Sequence, residues 1–98
     1  NWLDQKKQFT DLFGRSFADK LQAVESWFEE AKDEGVGPDL LVERLAAWQG
    51  ILRGMFLDKQ TTGAGWLRLN QTINDTIIDL RRNVHPRLAV EAVLLAMP

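Results

Sequence analysis

A chain of 98 residues suits one compact domain, and a domain of that size buries only about two-thirds of the surface its unfolded form exposes. Hydrophobic residues at 45%, with four Trp and five Phe, exclude a disordered segment, and a net charge of −2 excludes the general positive field that collects nucleic acid or anionic lipid. The absence of cysteine excludes disulfides and thiolate metal sites, which fits a reducing compartment and makes the cytoplasm the expected location.

No stretch reaches the roughly 18 to 20 continuous apolar residues of a membrane span, so no membrane association is expected. The opening Asn1-Trp-Leu-Asp-Gln-Lys-Lys has no apolar block of a signal peptide and no initiator Met. The expectation is a single helical domain over 1–98, the C-terminal piece of a longer protein.

In chain order, Trp2, Phe9, Leu12 and Phe13 are compatible with one face of a short helix within residues 1–13. Gly14-Arg15 breaks that pattern. Ser16, with Asp19 three positions on, reads as a helix N-cap with a carboxylate in the first turn. Phe17, Leu21, Val24, Phe28 and Ala31 then recur at helical spacing and predict a buried stripe. Lys20, Glu25, Glu29, Glu30, Asp33 and Glu34 fall on the other side and read as a solvated face.

Gly35-Val-Gly-Pro38 ends that helix and starts the next, because Gly suits a left-handed C-terminal position and Pro the first helical position. The following segment, Asp39 to Leu57, is the predicted centre of the fold. Leu41, Leu45, Trp48, Leu52, Met55 and Phe56 form a broad apolar face, widened by Leu40 and Ile51. The reverse side carries Glu43, Ala47, Gly50 and Gly54. Interior glycine costs about 1 kcal/mol relative to Ala, so this stripe predicts close approach of a second helix.

Asp58 to Gly65 reads as a loop. Trp66 to Arg82 returns to helix, with Trp66, Leu69, Ile73, Ile77 and Leu80 on one face. Arg68, Gln71, Asp75, Asp79 and Arg82 lie opposite, where Asp79 and Arg82 are spaced to pair. His85 precedes Pro86 and is pushed towards extended backbone, so this helix ends near Asn83 and Pro86 opens another. Asn83, His85 and Pro86 thus form a predicted hinge. The last helix has only Arg87 and Glu91 as polar residues, and a small bundle has difficulty covering such a helix on every side. Arg87, Val90, Glu91, Leu94, Leu95 and Met97 are the candidate interface. The fold expected from these elements is all-α, a single compact bundle of about five helices.

The closing Asn83-Val-His-Pro-Arg-Leu-Ala-Val-Glu-Ala-Val-Leu-Leu resembles the C-terminal signature of bacterial DNA polymerase III clamp-loader subunits, which reads Asn-x-Asn-Pro-Arg-Leu-x-x-Glu-x-Leu-Leu. It is most similar to the δ′ branch. Trp48-Gln-Gly-Ile-Leu-Arg-Gly-Met resembles a second helix of that branch, which often reads Trp-x-x-x-Leu-Arg-Asp. The resemblance covers roughly residues 16 to 98. His85 stands where Asn is usual and Gly54 where Asp is usual, and the segment between Phe56 and Ile73 is shorter. The choice among δ′, γ/τ and a related loader subunit stays open.

The resemblance implies an oligomerisation, or collar, domain. In that family such domains join five subunits into the ring that places the sliding clamp on primed DNA during replication. Its implied partners are the other loader subunits, γ/τ and δ, with clamp and DNA reached only through the full protein. It implies a non-catalytic domain without cofactor in an ATP-dependent loader, and the chain carries no phosphate loop, since Gly63-Ala-Gly65 lacks the Lys and the preceding strand.

Other site readings are weaker. His85, the lone His, has no ligand or base constellation around it in the sequence and reads as a turn residue near a cap. Ser16 and Thr61-Thr62 lack a partner base, and Glu29 and Glu30 point about 100° apart on a helix. A small enzyme would need a polar pocket of which the sequence gives no sign. The alternative function is a helical DNA-binding module using Arg68, Arg81, Arg82 and Arg87, although aromatic interleaving and a basic recognition helix are missing.

Overall fold

A computed structural model describes residues 2–33, 35, 37–59, 63–82 and 85–98. Glu34, Thr61, Thr62 and Asn83, singled out above, lie outside the described residues. Among the described residues five helices follow one another: α1 (Trp2–Asp11), α2 (Phe17–Asp33), α3 (Pro38–Leu57), α4 (Ala64–Arg81) and α5 (Pro86–Ala96). The fold is all-α, with no strand among the described residues.

Local chemistry accounts for the helix starts. Ser16 Oγ accepts the Asp19 N–H at 3.1 Å, satisfying one of the orphan donors at the head of α2. Gly37, with φ 56°, delivers the chain in a left-handed conformation that a side chain would strain, and Pro38 occupies the first turn of α3. Pro86 does the same for α5, after His85 in extended backbone with φ −48° and ψ 113°. Helix α4 begins at Ala64 instead of Trp66, so the loop after Asp58 is shorter than expected.

Helix α3 is the centre of the bundle. It packs on α1, α2 and α4, while α5 packs on α2 and α4. Leu41, Leu45, Trp48, Ile51, Leu52 and Met55 are buried, as their spacing predicted, and Phe56 is half-buried against the same core. Trp48 stands between two aromatic neighbours, with its ring 4.9 Å from Trp27 of α2 and 4.9 Å from Phe9 of α1. Phe9 continues to Phe13 at 5.1 Å, and Phe13 to Trp66 of α4 at 4.8 Å. Tilted and edge-on pairs of this kind add about 0.5–1.5 kcal/mol each beyond area burial. One connected aromatic chain therefore ties four helices together. The radius of gyration, 12.9 Å, agrees with the roughly 13 Å of a 100-residue domain built on one core.

Several expectations are corrected. Of the predicted stripe of α2, Val24 and Ala31 are buried and Leu21 and Phe28 are half-buried against the core, but Phe17 is not, and Lys20 and Trp27 complete the buried line. Phe17 is 37% exposed, whereas Trp27 is 3% exposed. The apolar arc of α2 is broad, and contact with Trp48 selects its centre. Lys20, expected on the solvated face, is only 6% exposed. Glu25 and Glu30 of that same face are engaged across helices, Glu30 with Arg44 at 2.8 Å and Glu25 with Arg87. Asp79 and Arg82 form no ion pair with each other among the described residues.

The glycine stripe of α3 is corrected too. A Cβ added at Gly50 or Gly54 would meet nothing within 4 Å, so no helix among the described residues closes on these positions. Gly50 is exposed beside a cleft that Asn70 of α4 also lines, and Gly54 is half-buried.

Candidate interaction surface on the last helix

The bundle covers more of α5 than its composition suggests. Ala89, Val90, Val93 and Leu94 are buried against α2 and α4, and Met97 joins them just past the helix end. Val90, Leu94 and Met97, three of the candidate interface residues, are therefore core residues of this domain. Burying two neighbouring rows of the helix against two supporting helices accounts for them. What remains outward is a narrow line, Leu88, Ala92 and Leu95, recurring at four and three. Leu88 is 64% and Leu95 71% exposed, so of the aliphatic candidates only Leu95 belongs to the free surface.

The polar candidates divide as well. Arg87 reaches α2, where its guanidinium takes both oxygens of Glu25 and lies 5.0 Å from the centroid of the Phe28 ring. This is a bidentate pair with a cation–π contact beneath it, a geometry that Lys cannot reproduce. Arg87 is thus engaged within the domain, with its side chain half-buried. Glu91 is half-buried and forms no ion pair with Arg87 among the described residues.

Both ends of α5 are fastened. At its start, His85 is the N-cap, and its Nδ1 accepts the Leu88 N–H at 3.4 Å. His85 is a capping residue near a turn, as the sequence suggested, and Pro86 follows it at the helix start. At the far end, the Lys20 ammonium donates to Met97 O and Pro98 O, each at 3.2 Å. Gly14 N–H also donates to Pro98 O at 3.0 Å. A cation at a helix C-terminus complements the dipole and satisfies carbonyls that have no intrahelical partner. In the middle, Thr76 Oγ1 of α4 donates to Ala89 O at 3.4 Å. Helix α5 is therefore held at both ends, with Leu88, Ala92 and Leu95 facing outward.

The arginines of the alternative reading do not form one cluster of four. Arg87 is committed to Glu25, and Arg68 and Arg81 stand thirteen positions apart on α4, which is about 20 Å along the axis. Arg68, Arg81 and Arg82 are all exposed. Among the described residues, no group of three His, Cys, Asp or Glu side chains is placed to hold a metal ion. No described helix is long and apolar enough to cross a membrane.

Two features of this candidate surface escape the sequence reading. Lys20 gives no signal, because a lysine within an acidic helix face is indistinguishable from its solvated neighbours until the C-terminal tail packs over it. The outward line was accessible in principle: once Val90, Val93, Leu94 and Met97 are taken as the inward rows, Leu88, Ala92 and Leu95 are what is left. No family model, curated protein or solved structure matches this chain.

Proposed function

We propose that this chain is a helical assembly domain of the bacterial clamp-loader collar type, acting in the cytoplasm and docking on a neighbouring loader subunit through the outer line of α5. The observation that carries the reading is the exposed Leu88–Ala92–Leu95 line on a helix fastened at both ends. Contiguous exposed apolar residues on a helix held at both ends suit a helix-in-groove or helix-on-helix contact. The resemblance of the Asn83 to Leu95 segment to the closing signature of loader subunits supports the choice of partner, namely γ/τ and δ subunits from the same cell. In this reading the domain itself performs no chemistry. It positions modules that precede it, and reaches clamp and primed DNA only through the whole assembly.

The test is to mix the protein with those loader subunits and measure the mass of the complex, with Leu88→Asp and Leu95→Asp as the disrupting variants. Both residues are exposed, so the substituted domain keeps its fold. Complex formation by the unaltered protein, lost in the double variant, supports the proposal. No complex with the unaltered protein overturns it.

A further inference from the structure

The end of the bundle opposite the Lys20 contact carries a cleft that the assembly reading does not use. It has a volume of about 300 Å³ and is formed where the end of α2 and the starts of α3 and α5 meet. Its floor is apolar, from Phe28, Ala31, Pro38, Leu41 and Pro86, and its rim carries Lys32, His85 and Arg87. No carboxylate lines it among the described residues. Glu25 is outside the lining but holds the Arg87 guanidinium and offsets its charge, and Asp39 in the first turn of α3 is exposed outside the lining.

Among the described residues the lining's unpaired charge is thus carried by Lys32, since Arg87 is paired with Glu25 and Asp33 and Asp39 lie outside the lining. Lys32 is exposed and belongs to neither ion pair of the described residues, so its ammonium is free to meet an incoming anion. Because His85 Nδ1 accepts the Leu88 N–H, the neutral ring carries its proton on Nε2 and offers a donor. The starts of α3 and α5 also converge here, adding the positive ends of two helix dipoles. Size then restricts the occupant. The volume stands at the lower limit of small-ligand pockets, enough for a large apolar side chain and too small for a long acyl chain.

We infer that this cleft receives an acidic peptide segment of another protein, with one large apolar side chain seated on Phe28, Ala31 and Leu41 and an adjacent carboxylate on Lys32 and His85. The site is separate from the outer line of α5, and the inference stands independently of the assembly reading.

The test is a titration of the ¹⁵N-labelled protein with the peptide acetyl-Glu-Leu-Phe-Asp-amide, followed by backbone amide shifts. Three comparisons accompany it: the neutral peptide acetyl-Gln-Leu-Phe-Asn-amide, decanoate, and the variants Lys32→Glu and Lys32→Gln. The expected result is saturable shifts centred on Ala31, Lys32, Leu41 and Arg87. Affinity should fall about tenfold or more in Lys32→Glu and less in Lys32→Gln, because reversal turns attraction into repulsion at close range. Thermal melts of Lys32→Gln should stay close to the parent, since Lys32 is exposed, and Lys32→Glu should melt a few degrees lower, because it places a carboxylate in the last turn of α2. Four results would each overturn the inference: no shifts at millimolar peptide, equal affinity for the neutral peptide, tighter binding of decanoate, or shifts confined to Leu88, Ala92 and Leu95.

Discussion

Replacing Lys20 with Met tests whether the contact at the end of α5 contributes to stability. The methionine stem fills the channel that the lysine stem now occupies, so packing is nearly conserved and only the ammonium is lost. Pro98 O keeps the Gly14 N–H at 3.0 Å, whereas Met97 O loses its side-chain donor. One orphaned carbonyl in a largely buried setting costs about 1–3 kcal/mol. Relief of the desolvated ammonium offsets part of this, because Lys20 is only 6% exposed. The net expectation is a loss of about 1–2 kcal/mol. For a domain of this size that corresponds to a fall in Tm of roughly 5–15 °C, measured by circular dichroism or calorimetry. Hydrogen exchange should quicken most in the last turn of α5, and an exposed control, Lys7→Met, should change stability by less than about 0.5 kcal/mol. A Tm of Lys20→Met within about 2 °C of the parent, or above it, would refute the reasoning and show that burial of the charge cancels its hydrogen bonds.

Gly50→Ala and Gly54→Ala should each stabilise the isolated domain by up to about 1 kcal/mol, because a Cβ at either position meets nothing within 4 Å; a lower denaturant midpoint would show that the space is used. Leu94→Asp should unfold the domain, since Leu94 is 1% exposed, whereas Leu95→Asp, at a residue 71% exposed, should leave its circular dichroism spectrum and melt unchanged. His85→Ala should cost about 0.5–1 kcal/mol by removing the N-cap acceptor of α5, and His85→Asp should restore it or better it, as read by urea unfolding.

The order of helices and most of their boundaries follow from local chemistry, and so were legible in the sequence. Ser16, Pro38 and Pro86 mark helix starts by hydrogen-bond and dihedral rules that act over three or four residues. The central place of α3 was legible for a related reason: a helix apolar on most sides has to be enclosed. The face that each helix turns inward was less so. Phe17 and Trp27 are equally plausible members of an apolar arc, and only the position of Trp48 places Trp27 inside and Phe17 at the surface.

For the candidate surface, the sequence determined that α5 exists, where it begins and that it carries more apolar residues than one packing face requires. Tertiary structure alone decided which of them remain outside. Val90, Leu94 and Met97 went to the core because α2 and α4 flank the helix on two sides, leaving Leu88, Ala92 and Leu95 in solvent. It alone decided the fate of Lys20 and Arg87, whose partners lie 77 and 62 positions away in the chain. Periodicity describes a helix relative to its own axis, and a contact of that range depends on where the axes lie relative to one another.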